Sequence, residues 1–123
     1  MNFDIVPTHS SHLNALTRLF ENCFGNTKLS LQYIDWLYFQ NPDGNVVGTD
    51  IFHDGTLIAH YGLVPRNYIV KGWRTLLSVN TATHQDYRGK GLFPKLATNS
   101  YRLASSLGYD NVIGVANANS ING

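Results

Sequence analysis

The segment Arg88–Phe93 constrains the fold of this chain more than any other stretch. It reads Arg-Gly-Lys-Gly-Leu-Phe and lies between an apolar, strand-like run, 75–84, and an amphipathic helical run, 92–107. Two glycines at alternate positions let the backbone turn tightly, so several N–H groups can point at one anion. The helix that follows adds unpaired N–H groups and the positive end of its dipole. The sequence therefore predicts a strand, a turn that binds an anion such as pyrophosphate, and a helix.

The spacing of the two glycines separates this turn from other phosphate-binding motifs. The segment lacks the G-x-x-x-x-G-K-[ST] pattern of a P-loop and the third glycine of the Rossmann G-x-G-x-x-G. It resembles the R-x-x-G-x-G/A signature of the GNAT superfamily of N-acetyltransferases. Residues Thr83–Phe93 are similar to that family's strand end, loop and helix start, and Val112–Ser120 are similar to its fifth strand and Asn-rich turn. Phe93 departs from the signature, because the family usually has Gly or Ala there.

The resemblance implies acetyl-CoA as the cosubstrate. In the family, pantetheine pairs with the backbone of the fourth strand, which corresponds here to Ala82, Thr83 and His84. The pyrophosphate is held by the turn, which corresponds to Arg88, Gly89, Lys90, Gly91, Leu92 and Phe93. Asn119 matches a family Asn that contacts CoA, although a plain turn residue would need no ligand. An ordinary strand–turn–helix connection with solvated basic side chains remains the alternative for the whole motif.

The residues that would perform acyl transfer are less evident than the turn. An amine is mostly ammonium at neutral pH and must lose a proton before it attacks a thioester. The strand-like runs 73–84 and 111–116 contain no glutamate. His84 is a candidate base because imidazole titrates near neutral pH, but a ring that hydrogen-bonds the loop backbone is the simpler interpretation. Asn80 is a candidate for aligning the acceptor or a relay water.

Composition limits the chain to one small domain and excludes several kinds of partner. With 123 residues, 43% of them hydrophobic, the sequence supports a single core over residues 1–123. A net charge of +1 argues against a broad nucleic-acid or membrane surface. The absence of a secretory start and of a long apolar run favours a cytoplasmic protein. The five histidines are scattered without cysteine companions, so no metal site is predicted. Cys23 has the helical spacing of a packed apolar residue.

Periodicity predicts an α/β fold with a mixed sheet and the order β-α-α-β-β-β-α-β. Pro7-Thr8 offers a start for the first helix, and Ser30 can cap the second. Asp54-Gly55 and Lys71-Gly72 are two-residue hairpin signals, which make the middle strands an antiparallel meander. Pro65 lacks an N–H, so a bend or bulge is expected there. The predicted strands are Phe3–Val6, Gly48–His53, Thr56–Val70, Trp73–His84 and Asn111–Ala116, with the last parallel to its predecessor through the helix Leu92–Leu107.

This order is similar to the first two-thirds of the GNAT fold, truncated after the fifth strand. In the family a fourth helix, which often carries a tyrosine acid, and two further strands follow. We therefore expect a domain that is incomplete at its C-terminus, and that is completed by a further segment or by a homodimer.

Two classes of function follow from the sequence. The first is an acetyl-CoA-dependent N-acyltransferase that acts on a small-molecule amine. The alternative is a noncatalytic acyl-CoA-binding or interaction module of a larger protein. Either His60 or Tyr61 could border an acceptor pocket, but not both, because alternate strand residues face opposite ways. The aromatic segment Tyr33–Pro42 suits an acceptor surface or, more simply, a core helix.

Overall fold

The predicted order of strands and helices is confirmed. The computed structural model describes residues 3–25, 29–66 and 72–114. Two short 3₁₀ turns, Ser10–His12 and Gln85–Tyr87, supplement the main elements. Those elements are β1 Asp4–Pro7, α1 Leu13–Phe24, α2 Leu31–Phe39, β2 Val47–His53, β3 Thr56–Pro65, β4 Thr75–Thr83, α3 Leu92–Ser106 and β5 Asn111–Gly114.

The strands form one mixed sheet in the order β1-β2-β3-β4-β5. The first four strands are antiparallel neighbours, and β5 runs parallel to β4, with Thr75 opposite Asn111 and Ser78 opposite Gly114. A parallel pair needs a long crossover connection, and α3 supplies it. The antiparallel meander and the parallel final strand therefore agree with the sequence prediction.

The hairpin between β2 and β3 turns at the two predicted residues. Asp54 has φ 51° and Gly55 has φ 79°, so both residues are in the left-handed region. Two-residue loops of this type match the twist of the flanking strands. The second predicted turn, at Lys71-Gly72, lies partly outside the described residues, as do positions 67–70 of the long predicted strand.

The irregularity of the central ladder is not at Pro65, and that prediction is wrong. Pro65 is the last residue of β3 and pairs in register with Leu76, so its missing N–H falls at the end of the ladder. The register instead shifts between Gly62 and Leu63, which pair with Asn80 and Ser78. Residue 79 is therefore an extra residue on β4. Such a bulge places two consecutive side chains on the same face.

The sheet separates two apolar cores. On one face, α3 packs against β2 and β3 through buried residues that include Leu92 and Leu96. On the other face, α1 and α2 pack through residues that include Leu16, Phe20 and Ile34. Together, the two layers hold β3 between helices on both sides, and β4 lies beside it with α1 packed on one face.

The observed helix starts agree only in part with those predicted from the sequence. The Ser30 hydroxyl accepts the Tyr33 N–H at 3.2 Å, so α2 is capped as predicted. The first helix does not begin at Pro7-Thr8, because Pro7 still pairs with Thr49 in β1. The 3₁₀ turn after His9 intervenes before α1 begins, and His9 accepts the Ser11 N–H as its cap. Most other boundaries differ from the prediction by one or two residues.

Candidate functional site

The turn between β4 and α3 has an open, glycine-shaped backbone. Gly89 and Gly91 have φ values of 79° and 71°, in the region that favours glycine. A Cβ built at either position would have no heavy atom within 4 Å, so the space beside the turn is open. Gly91 immediately precedes α3, and no side chain caps that helix end. Within the described ranges, the N–H groups of Gly89, Lys90 and Gly91 donate to no backbone carbonyl. They are therefore available to an anion.

The two basic residues of the turn differ in how firmly they are held. The Arg88 Nε donates to the carbonyl oxygen of Thr83 at 3.1 Å, which folds the arginine back onto the end of β4. The Cys23 thiol donates to the same carbonyl at 3.3 Å. Burial raises the pKa of Cys23, and the adjacent Arg88 acts against that rise. Lys90 is exposed, so its ammonium group can reach an anion held by the turn.

The two apolar residues after the glycines anchor α3 to the sheet. Leu92 is fully buried in the core between α3 and the sheet. The ring of Phe93 lies 5.6 Å from the ring of Tyr61, with 30° between the planes. Phe93 thus provides a packing contact on β3 where the signature has a small residue. The open side of the turn is unaffected by this contact.

The end of β4 combines buried backbone with an unsatisfied hydroxyl. Ala82 and Thr83 are buried and pair with His60 and Ala59 of β3. On the other side of β4, the described pairing with β5 ends at Ser78. The Thr83 hydroxyl oxygen is buried and has no hydrogen-bond partner in the described structure. A buried polar atom without a partner is costly, and the Thr75 hydroxyl and the Asn111 side-chain oxygen share this state, so a polar ligand that reached Thr83 would relieve one such cost.

His84 is engaged by the loop that follows β4. Its Nδ1 accepts the Asp86 N–H at 3.1 Å and caps the 3₁₀ turn. The centroid of its ring lies 5.9 Å from that of the Tyr87 ring, and the two rings meet edge to face. Four residues of extended chain separate His84 from Asn80, which is roughly 13 Å along the strand. The structure therefore does not bring the two candidate catalytic side chains together.

Asn80 lies at the bulge of β4 and faces the helical layer of α1 and α2. The preceding residue, Val79, packs against the core of that layer. The Asn80 Nδ2 donates to the hydroxyl of Tyr38, on α2, at 3.2 Å. In a regular strand, Val79 and Asn80 would face opposite sides of the sheet, and the bulge instead places Asn80 on the same side as Val79.

A buried polar chain leads away from Asn80 and was missed by the sequence analysis. The Tyr38 hydroxyl lies 2.7 Å from His60 Nε2, and His60 Nδ1 lies 2.6 Å from Asp50 Oδ1. None of these three side chains is exposed. Burial raises the pKa of Tyr38 well above its ordinary value, so its hydroxyl remains protonated at neutral pH. We name this set, Asn80, Tyr38, His60 and Asp50, the polar chain.

Two residues near the N-terminus complete the surroundings of Asp50. The Thr8 hydroxyl donates to Asp50 Oδ1 at 2.9 Å, and His12 Nδ1 lies 2.7 Å from Asp50 Oδ2. A carboxylate in the strand-like stretch Val47–Phe52 and a histidine in the apolar run Leu57–Val64 were the signals in the sequence that could have pointed to such a network.

His60 and Tyr61 face opposite sides of the sheet, as strand alternation requires. His60 contacts Phe20 of α1, whereas the Tyr61 hydroxyl lies 3.1 Å from that of Tyr101 on α3. Burial, with Tyr101 nearby, raises the pKa of Tyr61 to about 12. Both residues are nearly inaccessible, so neither lines an open pocket directly.

The aromatic segment of α2 is divided between core and surface. Ile34, Leu37 and Tyr38 are buried, while Tyr33 and Trp36 are 44% and 49% exposed. The rings of the exposed pair lie 6.4 Å apart. The core interpretation is therefore correct for one side of the helix, and the acceptor surface stays a prediction for the exposed side.

Three remaining predictions concern Asn119, metal binding and membrane spans. Asn119 lies outside the described residues. Among the residues that are described, no three His, Cys, Asp or Glu side chains are arranged to hold a metal ion. No helix in the described ranges has the length and apolar character needed to cross a bilayer.

Comparison with solved structures supports the fold. The aminoglycoside N-acetyltransferase AAC(6')-Iy, in complex with a bisubstrate analogue, is similar with a TM-score of 0.75 and 15% identity, over 96% of this chain and 82% of that one. A ribosomal-protein-alanine N-acetyltransferase from Brucella melitensis biovar Abortus gives a TM-score of 0.74 and 19% identity, over 96% and 82%. An aminoglycoside acetyltransferase from an uncultured soil metagenomic sample, in complex with sisomicin, gives a TM-score of 0.75 and 17% identity. The match covers 94% of this chain and 78% of that one.

Comparison of the sequence settles the family. No curated protein matches the chain. The model of the Acetyltransferase (GNAT) family matches residues 13–122, which includes the turn, all three helices and four of the five strands. This chain therefore belongs to the GNAT acetyltransferase family.

Proposed function

We propose that this chain binds acetyl-CoA and transfers the acetyl group to a small-molecule amine. The observation that carries the proposal is the open turn at the start of α3. Its free N–H groups at Gly89, Lys90 and Gly91 suit a diphosphate, and the ammonium of Lys90 adds positive charge. Family membership supports acyl transfer as the reaction class.

The residues along β4 fit the rest of an acyl-CoA molecule. Pantetheine contains two amides, which can hydrogen-bond to backbone groups of β4 beyond Ser78, where the described pairing with β5 ends. The unsatisfied hydroxyl of Thr83 adds a polar group between that edge and the turn. We therefore assign Ala82, Thr83 and the backbone of His84 to pantetheine, and Arg88–Phe93 to the diphosphate.

The bulge of β4 provides polar groups at the place where transfer would occur. Acetyl-CoA, when bound, supplies an activated acetyl thioester. Val79 has no partner residue in the β3 ladder, and such a bulge can direct a backbone N–H toward a ligand. Asn80 adds a neutral carboxamide beside it. Neutral hydrogen-bonding groups can orient an amine without being titrated, which suits a residue that positions the acceptor.

The class of acceptor rests on two observations. Several structural neighbours are aminoglycoside acetyltransferases, one of them in complex with sisomicin. In this chain, the exposed rings of Tyr33 and Trp36 provide a surface on which a sugar ring can stack. We therefore favour an amino sugar, or a small amine of similar size, over a protein substrate.

A direct assay tests the proposal. The chain is incubated with acetyl-CoA and three probes, sisomicin, neamine and a short peptide that begins with alanine, and the release of CoA thiol is followed. We expect turnover with at least one amino-sugar probe. Transfer to the peptide alone would overturn the acceptor class, and the absence of transfer to an extended panel of amines would overturn the enzymatic function.

A noncatalytic acyl-CoA-binding module is the second candidate. It is favoured by the hydrogen bond from Asp86 N–H to His84 Nδ1, because this bond engages the candidate base in the loop structure. Calorimetry separates the two functions. Binding of acetyl-CoA without turnover on any amine would identify the module, and turnover would exclude it.

A further inference from the structure

We propose that Asp50 determines, through His60 and Tyr38, which end of the Asn80 carboxamide faces the acceptor amine. The inference rests on the proposed acyl transfer and adds a residue that positions the acceptor. In this arrangement, the carbonyl oxygen of Asn80 points away from Tyr38 and is left for the acceptor. Tyr38, His60 and Asp50 are positioning residues that act through Asn80 and do not touch the substrate.

The direction of each hydrogen bond follows from the acceptor at the buried end. A carboxylate has no hydrogen to donate, so Asp50 Oδ1 accepts from His60 Nδ1 at 2.6 Å. In a neutral imidazole the other nitrogen is then an acceptor. His60 Nε2 therefore accepts the hydroxyl hydrogen of Tyr38 at 2.7 Å.

The other end of the polar chain has the matching direction. Because the Tyr38 hydrogen is directed at His60, the Tyr38 oxygen can only accept from its next neighbour. The Asn80 group that meets it is the Nδ2 amide, which donates at 3.2 Å. Donors and acceptors are thus consistent from Asp50 to Asn80. The carboxamide oxygen of Asn80 is left on the opposite side, where no hydrogen bond holds it within the described ranges.

Burial keeps this arrangement fixed. Asp50, His60 and Tyr38 are completely inaccessible, so water does not compete for their hydrogen bonds. A Cβ at Gly62 would collide with the Tyr38 hydroxyl and with His60 Nε2, so the absence of a side chain there makes room for the contact. Gly62 also pairs with Asn80 at the bulge. The bulge, the glycine and the polar chain therefore form one local structure.

The carbonyl end of Asn80 suits an amine acceptor. An amine or ammonium group brings N–H donors, which a carbonyl oxygen accepts. If the NH₂ group of Asn80 faced the acceptor instead, two hydrogen-bond donors would face each other. Asn80 is only partly buried, unlike the rest of the polar chain, so its oxygen can meet a ligand. A purely structural network would satisfy the same buried groups without any effect on the acceptor.

The first experiment measures the hydrogen-bond direction without reference to activity. The ¹⁵N chemical shifts of the His60 ring at neutral pH report which nitrogen carries the proton. We expect a neutral ring that is protonated on Nδ1. A ring protonated on Nε2, or on both nitrogens, would overturn the proposal, because Tyr38 would then donate toward Asn80.

The second experiment tests the role in transfer by rescue. Tyr38→Phe removes the hydroxyl that holds the Asn80 amide, so we expect kcat/KM for the amine probe to fall about tenfold. The Kd for acetyl-CoA should stay within about twofold, since the turn is remote from Tyr38. In Tyr38→Phe/Asn80→Asp, a carboxylate presents an oxygen whichever way it rotates, so most of the lost kcat/KM should return.

The matched control removes a hydroxyl from the buried tyrosine on the other face. Tyr61→Phe should leave kcat/KM for the amine within about twofold of the unmodified chain. A similar loss in both Phe variants, or no recovery in the double variant, would show that the polar chain is only structural. If no amine is acetylated, the role in transfer fails together with the proposed function, while the His60 measurement still decides the hydrogen-bond direction.

Discussion

Replacement of Gly89 by alanine tests the turn most stringently, because the chain contains a matched control. Gly89 and Gly55 both have φ 79°, and a Cβ at either would meet no heavy atom within 4 Å. The conformational cost of a side chain in the left-handed region, about 1–2 kcal/mol, should therefore be the same at both positions. The two variants are matched in φ and in space, and they differ in position, since Gly55 lies in the β2–β3 hairpin and Gly89 in the turn.

The effect on cofactor binding should separate the two variants. In Gly89→Ala the new methyl group blocks the approach of a diphosphate and disturbs the N–H groups that would hold it. We expect CoA binding to weaken by about 1–3 kcal/mol, which is roughly 5- to 150-fold in Kd. Gly55→Ala should lose similar stability with unchanged CoA affinity.

Titration calorimetry with CoA, together with thermal unfolding of both variants, measures these quantities. The reasoning is refuted if Gly89→Ala binds CoA within about twofold of the unmodified chain while it loses as much stability as Gly55→Ala. The turn would then be an ordinary connection between β4 and α3.

Three further predictions concern charge, the loop histidine and alkaline pH. Lys90→Ala should weaken CoA binding by about three- to tenfold at low salt and by less at high salt. Arg102→Ala, toward the other end of α3, should leave CoA binding unchanged. Equal effects of the two variants would indicate nonspecific attraction. His84→Ala should cost about 0.5–1.5 kcal/mol of stability but reduce kcat less than threefold, and a loss of about 100-fold would show that His84 is a base. Burial raises the pKa of Tyr61 from 10.0 to about 12, so its contribution to stability is complete below pH 10 and is lost as pH rises toward 12. Tyr61→Phe should therefore reduce the alkaline decrease in the free energy of unfolding, and an unchanged decrease would contradict the assignment.

Local features of the fold could be predicted because their causes lie close together in the sequence. The helix α1 ends where its apolar periodicity stops at Gly25, and Ser30 caps α2 through a residue three positions away. The Asp54-Gly55 hairpin depends on two residues that tolerate positive φ. The strand, turn and helix around Gly89 follow from the same local chemistry.

Features that depend on strand register could not be predicted. The bulge at Val79 arises from the register between β4 and β3, and no residue type in β4 indicates it. The contacts from His60 to Asp50 and to Tyr38 span 10 and 22 residues, so they exist only after β2, β3 and α2 have assembled. The residue types of Asp50 and His60 were visible in the sequence, but their partners were not.

The most direct test of the account follows the backbone amides of the turn during a CoA titration. In ¹H–¹⁵N spectra, the account predicts that the largest shifts occur at Gly89, Lys90 and Gly91, since their N–H groups would bind the diphosphate. Smaller shifts should appear along β4 at Ala82 and Thr83. Saturable binding with its largest shifts elsewhere, for example at the β2–β3 hairpin, or no shift at the turn at millimolar CoA, would contradict the central claim.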